Sequence, residues 1–244
     1  MKENEAQIFT VIAAAILGVS LIIAGASVSN GLENFRNYDR SVMMKGLAQE
    51  DVKADLALWT LSYTETGNDL AQLQELMDSR GEMIKNYLIS NGIKETEITL
   101  NNVNVQDLMA QSYRQNNNIV NRYIMSQSYL VRTNNVEVVD QATKNIGDLI
   151  KQGVVFTANS SRPVYLFTKL NDIKPDMIAQ ATENAREAAE EFADNSDSDV
   201  GGIKRASQGV FQILARDQTY ALPEAQQIHK TVRVVSTIEF YLED

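Results

Sequence analysis

His229 is the chain's one histidine, and Asp194–Asp199 is an acidic run, so chemistry is sought there first. A lone imidazole can serve as the base of a catalytic triad, but it cannot form a His-rich metal site or a paired relay. His229 stands beside Lys230 at the start of a strand-like segment, where a histidine is ordinarily a surface or sheet-edge residue. No GxSxG elbow accompanies it, and Ser207 lies in Ala-Ser-Gln-Gly. Neither GxxxxGK[ST] nor GxGxxG is present to cradle phosphate. The run Asp194-Asn195-Ser196-Asp197-Ser198-Asp199 invites a calcium reading. An EF-type loop started at Asn195 requires Gly at the sixth position and Glu at the twelfth, and finds Val200 and Ala206. The run reads as a solvated helix-end turn, with weak divalent-ion binding as the alternative.

Other residues with chemical potential have structural readings. The chain has no cysteine, which excludes disulfides, thiolate nucleophiles and zinc–thiolate centres. Its eight methionines are too scattered for a Met-rich metal site. Trp59 and Tyr63 share one face of a strand-like segment and read as core or a subunit contact. Glu187, Glu190 and Glu191 read as a solvated helix face. The Gln- and Asn-rich stretch 111–118 is an exposed loop or an interface. No catalytic, cofactor-binding or metal-binding residue is assigned, no cofactor is expected, and the expectation is a non-enzymatic protein.

Composition narrows the class. The chain has 244 residues, 44% of them hydrophobic, and a formal net charge of −10. That charge argues against nucleic acid, whose phosphates demand excess Lys and Arg. The residues beyond the first thirty suffice for one large domain or two small lobes.

Residues 8–28 contain no charged side chain. A helix rising about 1.5 Å per residue carries such a run roughly 30 Å, the thickness of a bilayer's hydrocarbon core. A cleavable signal peptide is the competing reading, and Ala24-Gly25-Ala26 offers an A-x-A-like site. The apolar run is longer than a signal peptide needs, and Glu3 and Glu5 oppose Lys2, so a retained anchor over residues 1–30 is expected. Ala14 with Gly18, and Ser20 with Ala24, form small-xxx-small steps that permit close helix approach in lipid, although small residues are common in such helices. Lys2 lies before the segment, and Arg36, Arg40 and Lys45 follow it. By basic-residue count alone the body falls in the cytoplasm, by a small margin.

Residues 31–41 form a polar connector, and mixed segments follow. Residues 42–48 read as a strand. Residues 54–64 alternate, with Leu56, Leu58, Thr60 and Ser62 on one face and Ala57, Trp59, Leu61 and Tyr63 on the other, and should be well covered. Residues 69–91 carry Leu70, Leu73, Leu76, Met77, Met83, Ile84, Tyr87 and Leu88 at helical spacing, with Asn68 as cap and Gly92 as stop. Residues 93–104 read as a return strand with Ile98 and Leu100 on one face, residues 106–118 as a loop, and residues 122–133 as a strand. A helix is expected over 136–152, with Val139, Ala142, Ile146, Leu149 and Ile150 inward and Gly153 as stop. Residues 164–170 read as a strand. Pro175 suits the first turn of a helix over 175–193, whose narrow face is Ile178, Ala181, Ala185, Ala188, Ala189 and Phe192. Strands over 203–214 and 230–242 close the chain around an irregular stretch, 215–228. Helices and strands without strict βαβ alternation point to an α+β fold.

The arrangement resembles the SIMPL-domain family, also called DUF541, which includes a Brucella periplasmic antigen. The resemblance runs from Ser41 to Leu242. Gly46-Leu47-Ala48 followed by Lys53-Ala54-Asp55-Leu56-Ala57 is similar to the family's opening, G-x-A and then x-P-D-x-A. The long amphipathic helix with its return strand after Gly92, and the central strand from Arg122-Tyr123, match in order and spacing. So do the alanine-spaced helix Asn184–Ala193 and the closing Val232-Arg233-Val234-Val235. Ala54 stands where the family usually has Pro, and Asp194–Asp199 replaces a compact Leu-Gly turn.

The resemblance implies SIMPL-like mixed sheets with packed helices over 42–244, in an exported protein that self-assembles. It also implies ring- or channel-like assemblies and a link to oxidative or envelope stress, and it supplies no catalytic motif. The implied envelope location outweighs the basic-residue count, so the body is expected on the periplasmic side of a bacterial inner membrane. The expected protein is therefore a homo-oligomeric scaffold held in the bilayer through residues 8–28, with further protein partners open. The alternative is a stress-linked module that binds a small ligand or a protein.

Overall fold

A computed structural model of the protein describes residues 40–110, 120–157, 160, 162–217, 219 and 222–243, with residues 18, 20, 22, 24 and 25. The expected anchor over 8–28 and connector over 31–41 fall largely outside the described residues, and the stretch 111–118 falls wholly outside them. Gly18, Ser20, Ile22, Ala24 and Gly25 are helical. Among the described residues, no helix is long and apolar enough to cross a membrane.

Among the described residues from 40 onward, two antiparallel sheets and four α-helices make a mixed α+β fold. The elements are β1 (Ser41–Lys53), β2 (Leu56–Gly67), α1 (Leu70–Ser90), β3 (Ile98–Asp107), β4 (Tyr123–Thr133), α2 (Val136–Asn145) and α3 (Gly147–Lys151). They continue with β5 (Val164–Leu166), α4 (Leu170–Asp194), β6 (Asp199–Gln208), β7 (Gln212–Ala215) and β8 (His229–Glu243). One sheet has the order β1-β8-β6, with β7 also on β8; the other has the order β3-β4-β2-β5. The chain divides into two compact units: residues 1–48, 176–210 and 234–244, and residues 49–175 and 211–233.

The larger unit holds the β3-β4-β2-β5 sheet. The β2 face carrying Ala57, Trp59, Leu61 and Tyr63 is fully buried. It packs with Leu73, Met77, Ile84 and Leu88 of α1 and with Val139 and Ala142 of α2. The opposite face is less covered than its alternation predicts, with Leu58 and Ser62 half-buried and Thr60 exposed. The α1 cap is Asp69, whose carboxylate accepts from the Ala71 and Gln72 amides at 2.8 and 3.1 Å. Asn68, the expected cap, instead accepts from the Arg122 amide at 2.8 Å and donates to the Val120 carbonyl. Gly92 and Gly153 end their helices at φ 94° and 91°, as the sequence predicts.

The expected helix over 136–152 is broken at Ile146 into α2 and α3. Thr143 bonds back to the Val139 carbonyl, and Gly147 opens the second segment. After the break Leu149 is buried but Ile150 is 58% exposed, so Ile150 does not face inward as expected.

In the smaller unit, Ala185 and Ala189 of α4 pack with Val42, Ile238 and Phe240. The alanine spacing is borne out, but the buried face is Met177, Ala181, Ala185, Ala189 and Ala193, and Phe192 is 48% exposed. The helix begins at Leu170, so Pro175 lies inside it instead of opening it. The strand expected over 164–170 is accordingly cut to three residues, and the one expected over 203–214 is two strands interrupted at Gly209.

Candidate functional site

Among the described residues, neither compact unit gathers the residues that sequence reasoning singled out for chemistry into a common site. His229 is exposed at the start of β8. Lys230 is fully buried, ion-paired with the Glu224 carboxylate, and its Nζ also donates to the Glu224 carbonyl at 2.8 Å. Trp59 donates from Nε1 to the Ser160 carbonyl at 2.7 Å. Tyr63 donates to the Met77 carbonyl and stacks on Tyr129, and burial raises its phenol well above the ordinary value. Both rings are core. In the acidic run, Asp194 and Asp197 are exposed, Asp197 has φ 50°, and the buried Ser198 accepts from Arg40 at 3.0 Å. Glu187, Glu190 and Glu191 lie on the same helix, α4, and all three are exposed. Among the described residues, no group of three or more His, Asp or Glu is placed to hold a metal.

Two surface features of the larger unit remain. The first is an open, polar cleft of about 480 Å³, lined by Gln49, Asp51, Leu214, Ala215, Arg216 and Thr231. Asp51 accepts from the Thr231 hydroxyl at 2.7 Å, and Arg216 pairs with Asp217. The cleft therefore offers one carboxylate and one guanidinium, each with a protein partner already.

The second is the outer edge of β3. Every residue from Thr99 to Gln106 is exposed, and among the described residues β4 is its one strand neighbour. The strand is firmly positioned. A 3-10 turn at Glu95–Glu97 leads into it, and Glu97 accepts from the Lys94 amide at 3.1 Å and from the Thr133 hydroxyl at 2.8 Å. At the far end Arg122 grips Asp107 with a forked pair, its closest contact 2.7 Å. That guanidinium holds the Asp107 carboxyl below its ordinary value, outweighing the opposing effect of burial. Between the ends, pairing with β4 shifts register between Leu100 and Asn102. Ile98 packs against the core, whereas Leu100, Val103 and Val105 are 51%, 48% and 45% exposed. An exposed strand edge with uncharged side chains is a template for another chain.

The sequence reading found this segment as a return strand and missed its edge position. The available signal was the absence of charge from Ile98 to Gln106, combined with alternation of valine and amide.

A further node was also missed. Asp55, part of the resemblance at the β1–β2 joint, accepts from the Thr168 amide at 2.6 Å and from its hydroxyl at 2.5 Å. Its own carbonyl accepts from Asn134 at 2.8 Å. Burial raises the Asp55 carboxyl, but the Thr168 bonds outweigh it and leave the group below its ordinary value. This carboxylate fastens a turn.

Two antiparallel sheets, the long helix α1 packed on the β2–β4 pair and the alanine-faced helix α4 define a mixed α+β protein. The sequence profile of the SIMPL family, described as a protein of unknown function (DUF541), matches residues 42–240, and the chain belongs to that family. A search of curated proteins gave no match.

Proposed function

We propose that this protein is a non-enzymatic, membrane-anchored scaffold of the cell envelope that self-assembles into a homo-oligomer of ring- or channel-like form. The observation that carries the reading is the β3 edge: a ten-residue strand, uncharged from Ile98 to Gln106, exposed from Thr99 to Gln106 and braced at both ends. The uncharged run over residues 8–28 supplies the anchor, and a body on the periplasmic side of the inner membrane follows from the family's expected location. Anchors gathered in one bilayer raise the local concentration of the bodies, so even a modest edge contact produces assembly. A ring also needs a head-to-tail contact through another surface, and it closes where the rotation permits.

Fractionation tests the location. The full-length protein should stay with membranes through an alkaline wash, and a C-terminal tag should be digested by protease added to spheroplasts. Mature protein beginning near Ser27 and recovered in the soluble fraction would contradict the anchor.

A second reading, a stress-linked binding module, draws on the cleft at Asp51 and Arg216. A thermal shift with small zwitterionic or anionic ligands that disappears in Arg216→Ala would favour it over a pure scaffold.

A further inference from the structure

The strands that end the two sheets differ in how far they are protected. β5 and β7 have three and four residues. β6 carries two register shifts, the Gly201-Gly202 pair, Lys204 and Arg205. β1 carries Lys45, Glu50, Asp51 and Lys53. Short length, irregular pairing and charge all discourage a second strand from adding. β3 has one register shift and no charged residue from Ile98 to Gln106.

Beyond that shift the strand is regular. Val103 and Val105 lie opposite Gln127 and Met125 of β4, while Asn102, Asn104 and Gln106 lie opposite Ser128, Ser126 and Ile124. Directly opposed residues of an antiparallel pair project from the same face. One face of the exposed strip is therefore valine and the other is side-chain amide. This order is self-complementary about Asn104. An antiparallel copy centred there sets Val103 against Val105 of the second copy, Val105 against Val103, Asn102 against Gln106, and Asn104 against itself. A shift by one residue would set valine against amide along the whole strip.

Charge points to the same occupant. The chain carries a net charge of −10, so two copies repel over most of their surfaces. The strip brings no ionised side chain to the contact, and Asp107 at its end is neutralised by Arg122. A basic partner would find no acidic side chain along the strip to recognise.

We infer that β3 is a two-fold homophilic edge: a second copy of this chain adds antiparallel to it, centred on Asn104. This rests on the self-assembly reading and specifies one contact within it. A two-fold edge contact gives a dimer by itself and joins halves of a larger assembly when another surface also associates.

The absence of cysteine makes the test clean. In full-length protein in detergent, Asn104→Cys places two thiols on directly opposed residues, whose Cα atoms lie about 4.5–5.5 Å apart, within disulfide reach. Mild oxidation should convert most of the chain to a disulfide-linked dimer on non-reducing denaturing gels. Thr99 is also exposed, but Thr99→Cys sits about 33 Å from its counterpart in this register and should give at least tenfold less dimer. Adding Val103→Lys to Asn104→Cys should lower the yield at least tenfold, because each lysine meets a valine of the second copy.

Light scattering on the same samples separates the two claims. Oligomers of Asn104→Cys that form no disulfide on oxidation would overturn the β3 contact and leave self-assembly standing. Equal cross-linking of Thr99→Cys and Asn104→Cys would overturn the register and with it the inference. A monodisperse monomer would overturn both.

Discussion

Gly46 of β1 lies directly beneath the Ala181 carbonyl of α4. A Cβ at position 46 would overlap that oxygen and stand 2.6 Å from the Ala185 amide nitrogen. Ala181, Ala185 and Ala189 are fully buried, and Asn184 donates to the Leu47 carbonyl at 2.7 Å. Helix and strand are thus in backbone contact, which only glycine on one side and alanine on the other permit.

Gly46→Ala should therefore destabilise the protein by about 1–3 kcal/mol, because the obstacle is backbone and cannot yield by a rotamer change. Urea unfolding checks this. A midpoint equal to wild type would show that α4 can retreat freely.

The Asp55 carboxylate makes stability depend on pH. Its folded-state value lies below the ordinary 3.8, so its contribution is present above the unfolded value and disappears as pH falls through the folded one. Asp55→Asn should cost about 1 kcal/mol at neutral pH, because the site is partly open to solvent. The gap between variant and wild type should close below about pH 4. Parallel denaturation at pH 7 and pH 3 measures it, and a gap that widened in acid would contradict the assignment.

Ala54 departs from the proline of the family pattern, and its amide is in use: it donates to the Ile228 carbonyl at 2.8 Å, in a residue 3% exposed. Ala54→Pro removes that donor and should destabilise by about 1–3 kcal/mol, readable as a lowered Tm. An unchanged or raised Tm would mean that the joint already suits proline.

Lys230 and Glu224 should respond unequally to mutation. Glu224→Ala strands a fully buried ammonium, whereas Lys230→Met replaces it with an apolar chain of similar length. The first should cost about 2–3 kcal/mol, less than a fully enclosed pair because Glu224 keeps some solvent. The second should cost less. Equal losses would show that packing at position 230, and not its charge, dominates.

Much of the fold was legible because periodicity records burial. The Leu73–Leu88 spacing and the Ala57–Tyr63 alternation each describe a face that is buried in fact. Local chemistry read less well. Asn68 and Asp69 are both good caps; Asn68 is engaged by the Arg122 amide and Asp69 serves the helix. Phe192 is large and apolar, yet Ala193 is buried in its place, because a closely packed helix face rewards the small residue. Edges were the least legible feature. Whether 98–107 is central or terminal depends on which strands pair, and those contacts are long-range.

The central claim is self-assembly, and the native mass of the full-length protein in detergent tests it most directly. The account predicts one discrete species whose protein mass is an integer multiple, greater than one, of the 27.2 kDa chain. A single 27.2 kDa particle persisting across micromolar concentrations would contradict it.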